Sequence, residues 1–374
     1  MTDYKYQQIR KALIARIGRM LPGDRLPNRT ELATELGVAR TTLEHAISDL
    51  TALGVLHSRR GSGTYATGKT LDEHSTADPM ERWESLPAAT ARDPNTWALL
   101  VANVMHDITP VLVRGAEDEA QRHGVRLIVC NTDDDMEKQN DYLYQLATGG
   151  VSGILIMPSS LCITDPRIWK ALRAHGMQVV SCFRPLIGFQ TPGVYCNSHL
   201  AGFLAAEHLI ACGCRRIAMI AGALYPLVFD RYHGLRTALH AHRLVADASL
   251  FSYEDEMDLR AGDRPRAHAL IEQAQYDGLF LFNDRLARYV YAELALRGKQ
   301  PGREVAVVSC DNTEICETLA PTLSSIHFPV YEVGRRAAKL LYSLCVGERV
   351  CPLVSILDCS LHPRQSSLLF RRIL

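Results

Sequence analysis

The sequence lacks any apolar run approaching the roughly 20 residues that a membrane-spanning helix needs, so no membrane association is expected. It lacks a net charge as well: 41 Lys and Arg balance 41 Asp and Glu, so affinity for a charged polymer has to come from a local asymmetry. There is no glycine-rich phosphate loop, no G-x-S-x-G turn and no histidine cluster with metal-ligand spacing. The expectation is therefore a chain without catalytic residues, cofactor or metal. Its eleven cysteines are odd in number and scattered, and Cys212 and Cys214 stand too close for a zinc knuckle or a C-x-x-C redox pair. Free thiols in a reducing compartment are expected. The first residues read as a polar, charged helix rather than a secretory leader, which points to the cytoplasm.

What is present begins with an ordered pattern between Pro22 and Tyr65. Pro22-Gly23 ends a first helix, and Glu31 to Leu36 reads as a short helix with its apolar positions inward, closed by Gly37. A second helix starts at Arg40-Thr41-Thr42, so small polar and cationic side chains occupy the turn that reaches base edges in a major groove. A hairpin follows, Val55 to Ser58 and Thr64 to Ala66, joined by Arg59-Arg60-Gly61-Ser62-Gly63. Its glycine-rich, arginine-flanked tip is narrow enough for a minor groove, with cations near phosphates. Before Gly68 ten cations, from Lys5 to Arg60, face six carboxylates, from Asp3 to Asp49. A basic arm on a neutral body is the electrostatic footprint of a DNA-binding part.

Over residues 4 to 67 the order and spacing resemble the GntR family of bacterial regulators. The chain departs from that family's pattern at Arg29-Thr30, where Glu-Arg is usual, at Ala39, where Ser precedes the recognition Arg, and at His45, where Arg is common. The resemblance implies a winged helix-turn-helix that binds double-stranded operator DNA through Arg29, Thr30, Arg40, Thr41, Thr42, His45, Arg59, Arg60, Gly61 and Gly63, without implying a consensus operator.

Between Lys69 and Asn95 the periodicity lapses into polar, Pro- and Thr-containing sequence, which reads as a linker. The expected division is therefore 1–68 for the DNA-binding domain, 69–95 for the linker and 96–374 for the body. From Trp97 onward short apolar strands alternate with amphipathic helices: strands at Trp97–Val104, Arg126–Cys130, Gly153–Met157, Gln178–Cys182, Arg216–Ile220, Gly278–Phe282 and Glu304–Ser309, with helices between them, one of them Tyr232–His242. Two such series predict an α/β body of two doubly wound lobes with mostly parallel sheets.

Ligands of such sheets sit beyond the carboxyl ends of the strands. Asp107, Phe183, Arg184, Tyr225, Arg231, Asn283 and Asp311 follow strands here, and carboxylates, amides, arginines and rings suit a polyhydroxy ligand. The competing expectation for Asn283 and Asp311 is helix or turn capping, and Asp230 reads as a helix cap.

The body, over about residues 97 to 368, resembles the LacI-family effector domain, itself like the periplasmic sugar-binding proteins. The pieces that carry this are Val151 to Ile156, Arg215-Arg216-Ile217-Ala218, Arg231 to Arg236, Gly278 to Asp284, Val307 to Asn312 and Pro363 to Ser367. The resemblance implies a small-molecule effector, a carbohydrate or in some relatives a purine or nucleoside, held by Arg231, Asn283 and Asp311, and a homodimer. Together the two parts predict a one-component transcription regulator whose operator affinity an effector controls, a repressor if it follows the relatives it resembles, since the sequence itself does not choose between repression and activation. The alternative is a small-molecule-binding or enzymatic protein on the same doubly wound fold, with no role on DNA.

Overall fold

The computed structural model describes residues 13, 16–18, 20–36, 43, 47, 50–51, 55–59, 63–67, 81–84, 86, 92–159, 165–222, 224–253, 265–273 and 275–368. The chain forms two compact units, Met1–Ser85 and Leu86–Leu374.

In the first unit, helix α1 (Arg29–Glu35) begins two residues before the expected Glu31 because Asn28 is its cap. The Asn28 Oδ1 accepts the Glu31 N–H at 2.9 Å, satisfying a backbone donor that the helix leaves open. Strands β1 (Leu56–Arg59) and β2 (Gly63–Ala66) pair antiparallel, from Leu56 opposite Ala66 to Arg59 opposite Gly63. Gly63 has φ +126°, a conformation that residues with a Cβ rarely adopt, so the hairpin favours glycine here. Leu13, Ile17, Leu26, Leu32, Leu43, Ile47 and Leu50 form the core beneath it.

A single helical turn, α2 (Glu81–Glu84), falls within the stretch expected to be linker. The second unit opens with β3 (Asp93–Val101), four residues earlier than the expected Trp97. Asp93 explains the difference: its carboxylate accepts from Asn95 N–H and Thr96 Oγ1 and pairs with Arg126 at 2.7 Å, so a polar sequence is tied into the sheet. Asn103 to Asp107, expected in part as the strand's end, form a turn instead.

The first lobe continues through α3 (Thr109–Arg122), β4 (Arg126–Asn131), α4 (Met136–Thr148), β5 (Val151–Ile156), α5 (Pro166–Ala174), β6 (Gln178–Phe183) and β7 (Gly193–Cys196). The chain then crosses to the second lobe: α6 (Ser198–Ala211), β8 (Ile217–Ile220), α7 (Pro226–Ala241), β9 (Phe251–Ser252), α8 (Pro265–Gln273), β10 (Gly278–Leu281), α9 (Asp284–Leu296), β11 (Ala306–Cys310), α10 (Ile315–Thr318) and β12 (Ser324–His327). It returns for α11 (Val330–Cys345) and β13 (Val354–Leu357), and recrosses to β14 (Ser360–His362) and α12 (Gln365–Leu368). The sheets run β13-β7-β6-β5-β3-β4 and β14-β12-β11-β10-β8-β9. All pairs are parallel except β12 with β14. Strands β8, β10 and β11 are buried along their whole length, as parallel strands covered by helices on both faces should be.

The body is thus two doubly wound lobes joined by three crossings. Asn197 binds two of them together: its side-chain Oδ1 caps α6 by accepting the Leu200 N–H, and its side-chain Nδ2 donates to Asp358 at 2.9 Å. Two helix pairs lock the lobes internally, α3 against α11 and α6 against α7, each through facing glycines. A Cβ on Gly202 would lie 1.8 Å from the Arg231 carbonyl oxygen, and one on Gly234 1.9 Å from that of His199.

Helix α7 starts at Pro226, six residues before the expected Tyr232, because proline at the first helical position costs no hydrogen bond. Asp230 therefore lies inside the helix, and the expectation that it caps one is incorrect. No described helix is long and apolar enough to cross a membrane.

Candidate functional site

The strand ends of the two lobes face each other across a cleft of about 1550 Å³. All seven expected effector residues line it. Backbone strain marks the same place. Among the described residues six non-glycines have left-handed φ, and five of them, Asp133, Asp134, Phe183, Asp311 and Asn312, are at the cleft. Such conformations cost about 1–3 kcal/mol each and persist where the surroundings force them, commonly at ligand sites.

The second lobe contributes a buried cation and a buried acid. Arg231, 2% exposed, projects from α7 with its guanidinium 4.0 Å from the Phe282 ring centre and 4.9 Å from that of Phe328. It donates from Nη1 to the Phe282 carbonyl, while its Nε is buried without a protein partner. Among the described residues, Asp311, just after the end of β11, makes no hydrogen bond or ion pair through its carboxylate. Burial pushes its pKa up to about 7, against the pull of Arg231, with Asp284 and Asp107 adding to the rise and Arg285 opposing it. Asn283 does cap: its Oδ1 accepts the Leu286 N–H at 3.2 Å at the start of α9, while the residue still faces the cleft. For Asp311, in contrast, no cap or turn bond engages the side chain. Tyr225 precedes α7, and burial pushes its hydroxyl up to about 12.

From the first lobe, Phe183 (φ +70°) sets its ring edge-on to Phe328 at 6.1 Å. Arg184 donates to the Pro158 carbonyl at 2.7 Å, approaches Asp134 at 3.6 Å and reaches over Tyr225 at 5.8 Å. Asp107 lines the cleft and also meets the opposite lobe. It accepts from Arg285 of the second lobe at 3.0 Å, and the same guanidinium donates to the Met105 carbonyl. A latch thus joins the lobes at the rim.

Several lining residues escaped the sequence reading. His106 is pushed down to about 4, by burial first and by Arg285 second, and its Nδ1 is buried without a partner. Asp133 and Asp134 follow β4, so the same strand-end rule, applied to that strand, would have found them. Arg285, three residues after the expected strand Gly278–Phe282, meets the rule as well, whereas Phe328 follows β12, a strand without an apolar run to announce it. Among the described residues no group of three His, Cys, Asp or Glu could hold a metal ion.

In the first unit, Arg29 is exposed in the first turn of α1, and Thr30 follows it, its side chain not described. Arg59 ends β1, its side chain likewise not described, and Gly63 opens β2. Arg40, Thr41, Thr42, His45, Arg60 and Gly61 lie outside the described residues, as do Gly37 and Ala39.

Residues 5–66 match the model of the bacterial regulatory proteins of the gntR family, and residues 206–367 that of the periplasmic binding protein-like domain. The chain is 28% identical over 318 residues to the HTH-type transcriptional repressor PurR of Vibrio atlanticus (strain LGP32), covering 83% of this chain and 90% of that one. It is 25% identical over 350 residues to the arabinose metabolism transcriptional repressor of Geobacillus stearothermophilus, covering 91% of each. A periplasmic binding protein/LacI transcriptional regulator from Alkaliphilus metalliredigens QYMF, solved with D-xylulofuranose, superposes with a TM-score of 0.63 at 26% identity over 73% of this chain and 99% of that one. A segment matching the gntR family model thus precedes a two-lobed body matching the periplasmic binding protein-like model, and the chain is a DNA-binding transcription regulator controlled by an effector.

Proposed function

We propose that the chain is a cytoplasmic, homodimeric repressor without catalytic activity, released from or driven onto its operator by a neutral carbohydrate bound between the lobes. The observation that carries this reading is the pairing in one cleft of two buried groups that act on each other electrostatically, the Arg231 guanidinium and the Asp311 carboxylate. Hydroxyl groups donate to the acid and accept from the cation, and Phe183, Phe282 and Phe328 supply apolar faces for a sugar ring. The sugars named for relatives, arabinose for one and D-xylulofuranose for another, fit that chemistry. On the DNA side Arg29, Thr30, Arg40, Thr41, Thr42, His45 and the Arg59 to Gly63 wing carry the contacts.

Control by the sugar requires that it bind the two lobe arrangements with different affinity. Operator fragments selected from random DNA by the purified chain, then titrated with and without D-xylulose, L-arabinose and D-ribose, test this. A shift of operator affinity by at least one sugar is expected. Unchanged affinity with all three sugars sinks the control by a pentose, and failure to select any DNA sinks the operator.

A further inference from the structure

The turn that presents Asp311 is held from behind by a carboxylate that faces away from the cleft. Asp284, the first residue of α9, is 1% exposed, although an acid at a helix start has every electrostatic reason to stay in solvent beside the amino-terminal turn. Its Oδ2 accepts the Thr313 N–H at 2.7 Å and the Thr313 hydroxyl at 2.9 Å. Its Oδ1 accepts the Ser325 hydroxyl at 2.8 Å and the Ser309 hydroxyl. The Ser325 oxygen in turn accepts the Asn312 N–H at 3.0 Å. One side chain thus ties together the start of α9, the end of β11, β12 and the residue after the turn.

That turn needs tying. Asp311 (φ +102°) and Asn312 (φ +52°) are consecutive non-glycine residues in left-handed conformations, which a free loop would leave. We propose that Asp284 is the positioning residue of the effector site: by gripping Thr313 and Ser325 it holds the Asp311–Asn312 turn in its left-handed form, and so aims the Asp311 carboxylate into the cleft. This rests on the reading of the cleft as an effector site. A merely structural Asp284 would be needed for folding and indifferent to what the cleft binds.

Calorimetric titration of the full chain with D-xylulose, L-arabinose, D-ribose and adenosine separates these. Folded Asp284→Ala is expected to bind the active probe about tenfold more weakly or worse, as for loss of a charge-assisted hydrogen bond. The double variant Asp284→Ala/Asp311→Ala is expected to bind no more weakly than Asp311→Ala alone, because both changes remove one contact. Wild-type affinity in folded Asp284→Ala, or losses that add in the double variant, overturns the proposal. Should Asp284→Ala not fold, Thr313→Val/Ser325→Ala keeps the acid while removing two of its donors, and the same weakening is expected of it. If the unaltered chain binds none of the probes, the effector reading fails by itself. The positioning is then decided by a crystal structure of the ligand-free variant, where a turn that keeps its left-handed φ values overturns it.

Discussion

Replacing Asp311 by Asn should stabilise the body and weaken effector binding in the same molecule. The carboxyl group's pKa rises from its ordinary 3.8 to about 7 in the folded chain, first because it is buried, with Arg231 opposing and Asp284 and Asp107 reinforcing the rise. A folded-state pKa above the unfolded value means that the folded chain keeps the proton between about pH 4 and 7 while the unfolded chain has lost it. Stability therefore falls as pH rises through that window and is level above it. At about 1.4 kcal/mol per unit, the displacement costs about 4 kcal/mol at pH 8 and about 1–2 kcal/mol at pH 5. Asparagine has the shape of the protonated acid and never ionises, so Asp311→Asn is relieved of that cost. Scanning calorimetry of both chains from pH 5 to 8.5, following the transition of the larger unit, should show an advantage for the variant that grows with pH to several degrees. A gain of constant size, or a variant less stable than the parent at pH 8, refutes the electrostatic account of Asp311. The same substitution removes an ionisable acceptor from the cleft, so binding of the active sugar should weaken as stability improves, a trade-off seen where function requires a strained or poorly solvated group.

Gly202→Ala puts a methyl 1.8 Å from the Arg231 carbonyl and must part α6 from α7; a loss of about 1–3 kcal/mol of stability is expected, with effector affinity falling alongside, and affinity equal to the parent's in calorimetry would mean that Arg231 does not depend on this crossing. Arg285→Ala breaks the latch to Asp107 and Met105; because both charged partners are about a third exposed, the pair is worth less than about 1 kcal/mol, and fluorescence distances between labels on the two lobes should show a more open ligand-free cleft, an unchanged distribution counting against the latch. Arg29→Ala should weaken operator binding by a similar factor on every sequence and lower the salt slope by about one; a change confined to one base position, in binding assays over a range of salt, would instead make Arg29 a base-reading residue.

The alternation of strands and helices was legible because β8, β10 and β11 are runs of apolar residues bounded by turns, a pattern that burial on both faces of a parallel sheet imposes. Strand β12 carries no such signal. Its Ser324 and Ser325 are fully buried, yet they are held by polar partners: Ser324 exchanges bonds with Ser366, Ser367 and Arg364, and Ser325 is bound to Asp284. A hydropathy pattern cannot register a core made of hydroxyls. Strand β13 is hidden for the opposite reason: it is an edge strand, half of it exposed, so its alternation has little to bury. Helix α11 does show the helical stripe, Val330, Val333, Gly334, Ala337, Ala338 and Leu341. What its period leaves open is which lobe it covers, because the chain leaves the second lobe at β12 just before it.

The site divides along the same line. Residues that a strand end delivers to the cleft, Tyr225, Arg231 and Asp311 among them, follow from topology, which reading the order of strands supplies. Residues that work by being held follow from distances between segments. Arg285 meets Asp107 across 178 positions, and Asp284 reaches Ser325 across 41. Neither partnership leaves a trace in local pattern, since each depends on where two lobes or two strands come to rest. Arg231 shows both kinds at once: its place after β8 was legible, whereas its aim depends on Gly202 and Gly234, two glycines inside helices where propensity alone counts them as a cost of about 1 kcal/mol each. Their absence of a side chain lets α6 pack against the backbone of α7 at Arg231 itself, whose guanidinium stands 4.0 Å from the Phe282 ring centre and 4.9 Å from that of Phe328. A glycine that weakens its own helix is thereby what fixes the cation of the neighbouring one, so substitutions that improve α6 as an isolated helix should be the ones that damage the cleft.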